Sequence, residues 1–143
     1  MTPRQITPRY HVTPQITPED MPAVKAAGFV RVICNRPDAE NPPALQAEAM
    51  AEAAKAAGLE FEVLPLTHQT MTPENVARQK ALIDDAAGPV LAYCASGTRC
   101  TVIWALGQVG AQGVDEILTQ AAQAGYDLAG LRPTLDALAA QKG

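Results

Sequence analysis

The sequence predicts an α/β fold, a single domain in which helices flank a central, mostly parallel sheet of four to five strands. Short runs of β-branched and apolar residues alternate with longer helical stretches, and helical crossovers of this kind join parallel strands. The length of 143 residues suits one ordinary domain and no linker interrupts it, so we assign residues 1–143 to a single domain. Hydrophobic residues make up 48% of the chain against 18% charged, which supports a packed core and excludes intrinsic disorder.

Two strand candidates and one helix candidate occupy the first part of the chain. Tyr10–Val12 is a short strand candidate. Thr17–Asp20 is typical of a helix start, because Thr can cap the helix, Pro suits the first turn and acidic side chains favour its N-terminus. We predict that this helix ends at Gly28 and that the β-branched run Phe29–Cys34 forms the next strand.

A proline-rich loop and a second helix–strand pair follow. Residues 35–43 contain three prolines, which exclude both a helix and the interior of a sheet. Ala44–Ala57 is rich in alanine and is followed by Gly58, so we predict a helix there. Leu59–Leu64 alternates apolar and acidic residues, as a half-buried strand does.

The second half of the chain contains one more strand and the remaining helices. Pro65–Met71 is a predicted loop, and Thr72–Glu74 repeats the same type of helix start, opening a helix that runs to about Ala87. The apolar run Pro89–Tyr93 is the next predicted strand. Three further helices are predicted at Thr98–Val109, Val114–Ala124 and Leu131–Ala140.

The stretch from Cys94 to Arg99 is the most informative about chemistry, because a strand, a tight glycine-containing loop and a helix meet there. Ligands of open α/β sheets bind at the carboxyl ends of strands, and loop amides beside a helix N-terminus favour an anion. The predicted anion-binding loop consists of Ala95, Ser96, Gly97 and Thr98. Arg99 can donate two hydrogen bonds to an oxyanion, and the same field lowers the pKa of Cys94. We therefore predict a thiolate nucleophile facing a site for an anionic group, although an isolated buried cysteine is usually only a small apolar residue.

Composition and motifs exclude several classes of function. The net charge is −4 and no cluster of Lys or Arg is present, so we expect no nucleic-acid partner. No apolar run approaches the ~20 residues needed to span a bilayer, so we expect no membrane partner. Three cysteines are too few for a disulfide framework, and the polar N-terminus lacks a signal-peptide pattern, which together predict a reduced, cytoplasmic protein. Without metal-ligand spacing or a nucleotide-binding glycine motif, we expect neither metal nor cofactor.

The motif Cys94-x-x-Gly97-x-Arg99, followed by a helix that contains Trp104, resembles a bacterial phosphatase-like domain family. The same domain is also found fused in beta-lactamase-hydrolase-like proteins. Further matching stretches are Gln15–Asp20, Asn35–Asp38, Gly88–Leu91 and Ala124–Leu128. The resemblance covers nearly the whole chain and implies the fold of the compact dual-specificity phosphatases, with Cys94 as nucleophile and Arg99 as oxyanion binder.

Two departures from the expected pattern bear on activity. Phosphatases of that fold carry Cys-x5-Arg, whereas this loop is Cys-x4-Arg, a pattern shared with the rhodanese-type sulfurtransferases. A tighter loop suits a sulfane sulfur better than a full phosphoryl group. In addition, Ala95 and Cys100 stand where the family resemblance leads us to expect Arg and Ser, which weakens the anion field and removes a hydroxyl donor.

Phosphate-monoester hydrolysis needs a proton for the leaving oxygen. In the related phosphatases an Asp supplies it from a loop before the cysteine, but here the corresponding loop, Pro65–Thr70, contains no carboxylate. His68 in that loop is one candidate acid. Asp38, in the loop after the neighbouring strand, is the other. Each also has a purely structural interpretation, as an exposed loop histidine and as a turn-forming aspartate.

The sequence thus predicts a cysteine-dependent phosphatase-like hydrolase that forms a thiophosphoryl-cysteine intermediate on a small phosphorylated or otherwise anionic substrate. The alternative is a sulfurtransferase that carries a persulfide on Cys94, receives its sulfur from a sulfane-sulfur donor and needs no acid. A non-catalytic anion-sensing or redox-sensing module is a further alternative. By its place after Arg99, Cys100 is expected to lie close to Cys94 and is a candidate resolving cysteine, or else a small helix residue in place of Ser.

Overall fold

A five-stranded sheet forms the frame of this computed structural model, which describes residues 1–142. The strands are β1 (Arg4–Thr7), β2 (Tyr10–Thr13), β3 (Arg31–Cys34), β4 (Glu60–Val63) and β5 (Val90–Tyr93). They lie in the order β1-β2-β5-β3-β4, and all neighbouring pairs are parallel except β1 and β2. Because β5 is central and parallel to both of its neighbours, the segment after Tyr93 emerges at the middle of the carboxyl edge.

Helices cover both faces of the sheet. They are α1 (Met21–Ala26), α2 (Ala47–Ala56), α3 (Pro73–Asp84), α4 (Thr98–Gln108), α5 (Val114–Gln123) and α6 (Arg132–Lys142). The side chains of β5 alternate between the two layers, as those of any strand do. Leu91 and Tyr93 pack in one core with α1 and α2, whereas Val90 and Ala92 pack in the other with α3 to α6. The predicted fold class is therefore confirmed, with five strands.

Three elements depart most from the predictions, and the bounds of the others differ by one to three residues. The strand β1 was not predicted, because Ile6 is its one apolar residue and it is held as an edge strand by pairing with β2. The first predicted helix divides into a 3₁₀ turn, Pro18–Asp20, and α1. Prolines at 42 and 43 likewise impose a 3₁₀ turn, Pro43–Leu45, so α2 begins at Ala47 rather than Ala44. Among residues 1–142, no helix combines the length and apolar character that a bilayer crossing requires.

A buried polar network joins the end of β3 to two helices. The side-chain amides of Asn35 and Gln79 exchange two hydrogen bonds of 2.9 Å, and Asn35 Nδ2 also donates to the carbonyl of Leu64 at 2.9 Å. Gln79 Nε2 donates to the hydroxyl of Tyr10 at 3.2 Å, and that hydroxyl donates to the carbonyl of Cys100 at 2.7 Å. The network therefore connects β2, the loop after β3, α3 and the first turn of α4.

We expect Gln79→Leu to lower the free energy of unfolding by about 1–3 kcal/mol, because it leaves the buried side-chain oxygen of Asn35 without a donor and removes one donor from the Tyr10 hydroxyl. Replacing both amides, as Asn35→Leu with Gln79→Leu, should cost less than the sum of the single changes. Urea denaturation measures all three values. Ala81→Leu, at an exposed position of the same helix, is the matched control and should stay within about 0.5 kcal/mol of the unsubstituted protein. If the losses in the free energy of unfolding of the two single variants added up to that of the double variant, the two amides would not be coupled.

Candidate active site

The loop from Cys94 to Arg99 joins the central strand β5 to the N-terminus of α4. Gly97 occupies the N-cap of α4 with φ +91°, a left-handed conformation that glycine adopts without strain. A Cβ atom at this position would also overlap the hydroxyl oxygen of Tyr126. That hydroxyl donates a 2.9 Å hydrogen bond to the carbonyl of Ser96. Both constraints require glycine, and together they fix the curvature of the loop.

Cys94 is buried and its sulfur accepts several hydrogen bonds. The backbone amide of Gly97 donates to Sγ at 3.1 Å. The thiol of Cys100 is the strongest single influence on Cys94, and the backbone amides of Cys100, Ser96 and Gly97 act in the same direction. These donors outweigh burial, which opposes the charged form, and lower the pKa of Cys94 to about 5. At neutral pH the residue is therefore a thiolate.

Cys100 lies beside Cys94, in the first turn of α4. Burial and the neighbouring thiolate raise the pKa of Cys100 well above its ordinary value, so its thiol keeps the proton that it donates to Cys94. The third cysteine, Cys34, is buried at the end of β3, and burial raises its pKa as well. All three are free thiols or thiolates.

Arg99 is held by a carboxylate that the sequence did not single out. Its Nη1 and Nη2 donate to the two carboxylate oxygens of Glu40 at 2.8 and 2.7 Å, and Nη1 also donates to the carbonyl of Leu66 at 2.9 Å. Glu40 accepts a further hydrogen bond from Nε of Arg36 at 3.2 Å. The hydrogen bonds from Arg99 lower the pKa of Glu40, so this carboxylate stays ionised and positions Arg99 instead of supplying a proton.

The two candidate acids differ in their placement. His68 is exposed and lines a cleft of about 480 Å³ together with Glu40, Thr67, Ser96, Thr98 and Arg99. Asp38 is absent from that lining, and its Oδ1 accepts a 2.8 Å hydrogen bond from the backbone amide of Ala47, where α2 begins. The structure thus brings His68 to the loop and places Asp38 at a helix N-terminus. That His68 or Asp38 donates the proton stays a prediction.

The burial of Cys94 limits what the cleft can hold in this conformation. Cys94 has 0% of its surface exposed, and the loop lines the cleft with Ser96, Thr98 and Arg99 rather than with Cys94 itself. Ala95 is exposed, and its carbonyl accepts a 3.3 Å hydrogen bond from the amide of Gln15. In the part of the chain that the structure describes, no three His, Cys, Asp or Glu side chains gather as metal ligands would.

We expect the ultraviolet absorbance of the Cys94 thiolate to titrate with a midpoint near pH 5. Cys34 and Cys100 should contribute only at alkaline pH, because burial raises the pKa of both. Cys100→Ala removes the strongest donor and should move the midpoint upward by at least about one pH unit, whereas Cys100→Ser retains a donor and should largely preserve it. A midpoint that is the same in the Ala variant and the parent protein would contradict the role assigned to Cys100.

A family model and several curated proteins match this chain. The family model described as beta-lactamase hydrolase-like protein, phosphatase-like domain, matches residues 3–111. The beta-lactamase hydrolase-like protein of Agrobacterium fabrum is 32% identical over 104 residues, which cover 73% of this chain and 24% of that protein. The chain therefore spans about a quarter of the length of the curated relatives that it matches.

Solved structures share the fold. A candidate phosphatase from Neisseria meningitidis superposes with a TM-score of 0.84 at 31% identity, covering 94% of this chain and 96% of the other. TpbA from P. aeruginosa, solved in complex with pTyr, has a TM-score of 0.68 at 13% identity, with 98% and 89% covered, and is similar in fold alone. The chain belongs to the family of phosphatase-like domains of beta-lactamase hydrolase-like proteins.

Proposed function

We propose that this protein is a cysteine-dependent hydrolase of a small phosphate monoester. The observation that carries the proposal is the Cys94 thiolate, stabilised by loop amides at the N-terminus of α4 with Arg99 beside the cleft. The family and the Neisseria meningitidis relative support a phosphatase-type reaction. The pTyr bound by TpbA shows that a phosphate ester is accepted by a protein of this fold, which supports the same substrate class.

The proposed reaction has two displacements at phosphorus. In the first, the thiolate of Cys94 forms an S–P bond while the P–O bond to the leaving group breaks, and the leaving oxygen takes a proton from the general acid, for which His68 and Asp38 are the candidates. In the second, water attacks phosphorus, the S–P bond breaks, and phosphate and the thiolate are released. Arg99 and the amides of the loop neutralise the charge on the equatorial oxygens in both steps.

Substrate access requires the loop to change conformation. Because Cys94 has no exposed surface, phosphorus reaches the sulfur only if the segment from Ala95 to Thr98 shifts. The hydroxyls of Ser96 and Thr98 are hydrogen-bonded to each other at 2.9 Å across this segment. An incoming dianion competes for the loop amides and for Arg99, which supplies the free energy for the shift. Glu40 keeps Arg99 at the cleft before substrate arrives.

A second candidate function, sulfur transfer, is favoured by the short loop and by the neighbouring thiol. The Cys-x4-Arg loop encloses less space than Cys-x5-Arg, and a persulfide needs no general acid. With thiosulfate, the Cys94 thiolate would attack the outer sulfur, forming one S–S bond while the original S–S bond breaks and sulfite leaves with its electrons. Cyanide would then remove the sulfur as thiocyanate. The Cys100 thiol would stabilise the thiolate in both reactions.

A paired assay of one preparation separates these functions. We expect phosphate release from an aryl phosphate, loss of that release in Cys94→Ser, and a loss of at least about tenfold in Arg99→Lys, or ~1.4 kcal/mol of barrier, because Lys cannot form the two-pronged contact. The second arm measures thiocyanate from thiosulfate and cyanide. Thiocyanate without phosphate would overturn the phosphatase proposal and support sulfur transfer. The absence of both products would favour a sensing module.

The proton donor is tested by varying the leaving group. If His68 is the acid, His68→Ala should slow an alkyl phosphate at least about tenfold more than an activated aryl phosphate, because only the poor leaving group needs the proton in the transition state. Asp38→Asn is the matched comparison, since Asp38 caps α2 and should show no such selectivity. Selectivity confined to Asp38→Asn would assign the acid to Asp38. If neither variant is selective, both are excluded as acids.

A further inference from the structure

A long apolar groove lies next to the catalytic cleft, between α3, α4 and α6. Its volume is about 920 Å³, within the range of sites that hold small molecules. Its walls are mainly aliphatic, and include Val76, Val102, Leu106, Val109, Leu131 and Leu138. Val102 and Leu106 are half-buried: they pack against the core on one side and present apolar surface to the groove on the other.

Two observations place the groove next to the cleft. His68 lines both cavities. In addition, one face of α4 carries Thr98 in the cleft and then Val102 and Leu106 in the groove, at intervals of one helical turn. The helix that directs its N-terminus at the anion loop therefore also forms the wall of the groove. An anionic head bound at the loop would direct an attached chain along α4 over a distance of ~15 Å.

We propose that the groove binds the alkyl chain of an amphiphilic phosphate monoester whose phosphate lies at the Arg99 loop. This inference rests on the proposed phosphatase function and specifies its substrate class. The substrate is a single-chain aliphatic phosphate, taken up as a monomer from solution. Each methylene that leaves water for the groove favours binding, so the substrates preferred in this class are those with longer chains.

The lining favours an alkyl chain over other occupants. A peptide backbone would bring amide and carbonyl groups into a groove that offers few partners for them, which is costly. Two lysines border the groove, but Lys80 pairs with Asp84 at 2.6 Å and Lys142 donates to the carbonyl of Val109 at 2.9 Å. The charge of Lys80 is thus met by a carboxylate and that of Lys142 by solvent, since Lys142 is exposed, so neither cation needs a second anionic group on the ligand. A ligand with one charged head and a plain chain matches this distribution.

The test is a series of n-alkyl phosphates (methyl, butyl, octyl and decyl), each used below its micelle concentration. We expect kcat/KM to rise by up to about fourfold for each methylene that enters the groove and then to level off. Leu106→Glu and Ala77→Phe should flatten this dependence on chain length, the first by adding a charge and the second by filling the groove from an exposed position. Val63→Glu, at an exposed apolar site on β4, is the control and should retain the dependence.

A binding measurement separates failure of this inference from failure of the proposed function. Alkylphosphonates of the same lengths cannot be hydrolysed by the proposed route, and their affinity is measured by calorimetry. If the affinity rises with chain length and this rise is lost in Ala77→Phe, the groove binds the alkyl chain, even if no phosphate ester is hydrolysed. Affinity and kcat/KM that are both independent of chain length overturn it. A phosphopeptide hydrolysed faster than decyl phosphate, and slowed by Ala77→Phe, would assign the groove to a peptide and also overturn it.

Discussion

The thiolate of Cys94 is stabilised by hydrogen-bond donors of one short segment, from Ser96 to Cys100. Much of the neighbouring structure holds that segment in place. The amide of Gly97 and the thiol of Cys100 both donate to the sulfur, so the loop and the first turn of α4 must keep a fixed separation. The carbonyl of Cys100 is in turn bound by the hydroxyl of Tyr10, which lies on β2. A charge that is costly to bury is thus stabilised by groups that the sheet itself positions.

The carboxyl edge of the sheet also supplies the environment of Arg99. Glu40 comes from the loop after β3, and Leu66 from the loop after β4. The backbone amide of Leu66 donates to the backbone carbonyl of Asn35 at 2.9 Å. Because the side chain of Asn35 is held by Gln79 of α3, this contact also fixes the Leu66 carbonyl that Arg99 binds. The guanidinium is therefore held at the cleft by groups from two neighbouring loops.

Features encoded by consecutive residues could be predicted from the sequence. The strand, the glycine turn and the helix start around Cys94 are local, and so are most of the strands and helices. Features that depend on the packing of distant segments could not be predicted. Glu40 meets Arg99 only because β3 and β5 are neighbours in the sheet, and nothing in the sequence pairs them. Similarly, the carboxylate of Asp38 caps α2 because two prolines delay the start of that helix, a consequence that spacing alone does not reveal.

The hydroxyl of Tyr126 ties the loop between Cys94 and Arg99 to a segment that is synthesised well after it. Tyr126 lies beyond residues 3–111, the part that the family model matches, yet it binds the carbonyl of Ser96 and occupies the space next to Gly97. During translation the loop therefore leaves the ribosome without this anchor and acquires it only when the segment after α5 has folded back. The order of synthesis therefore delays the finished geometry of the loop around Cys94 until most of its scaffold is in place.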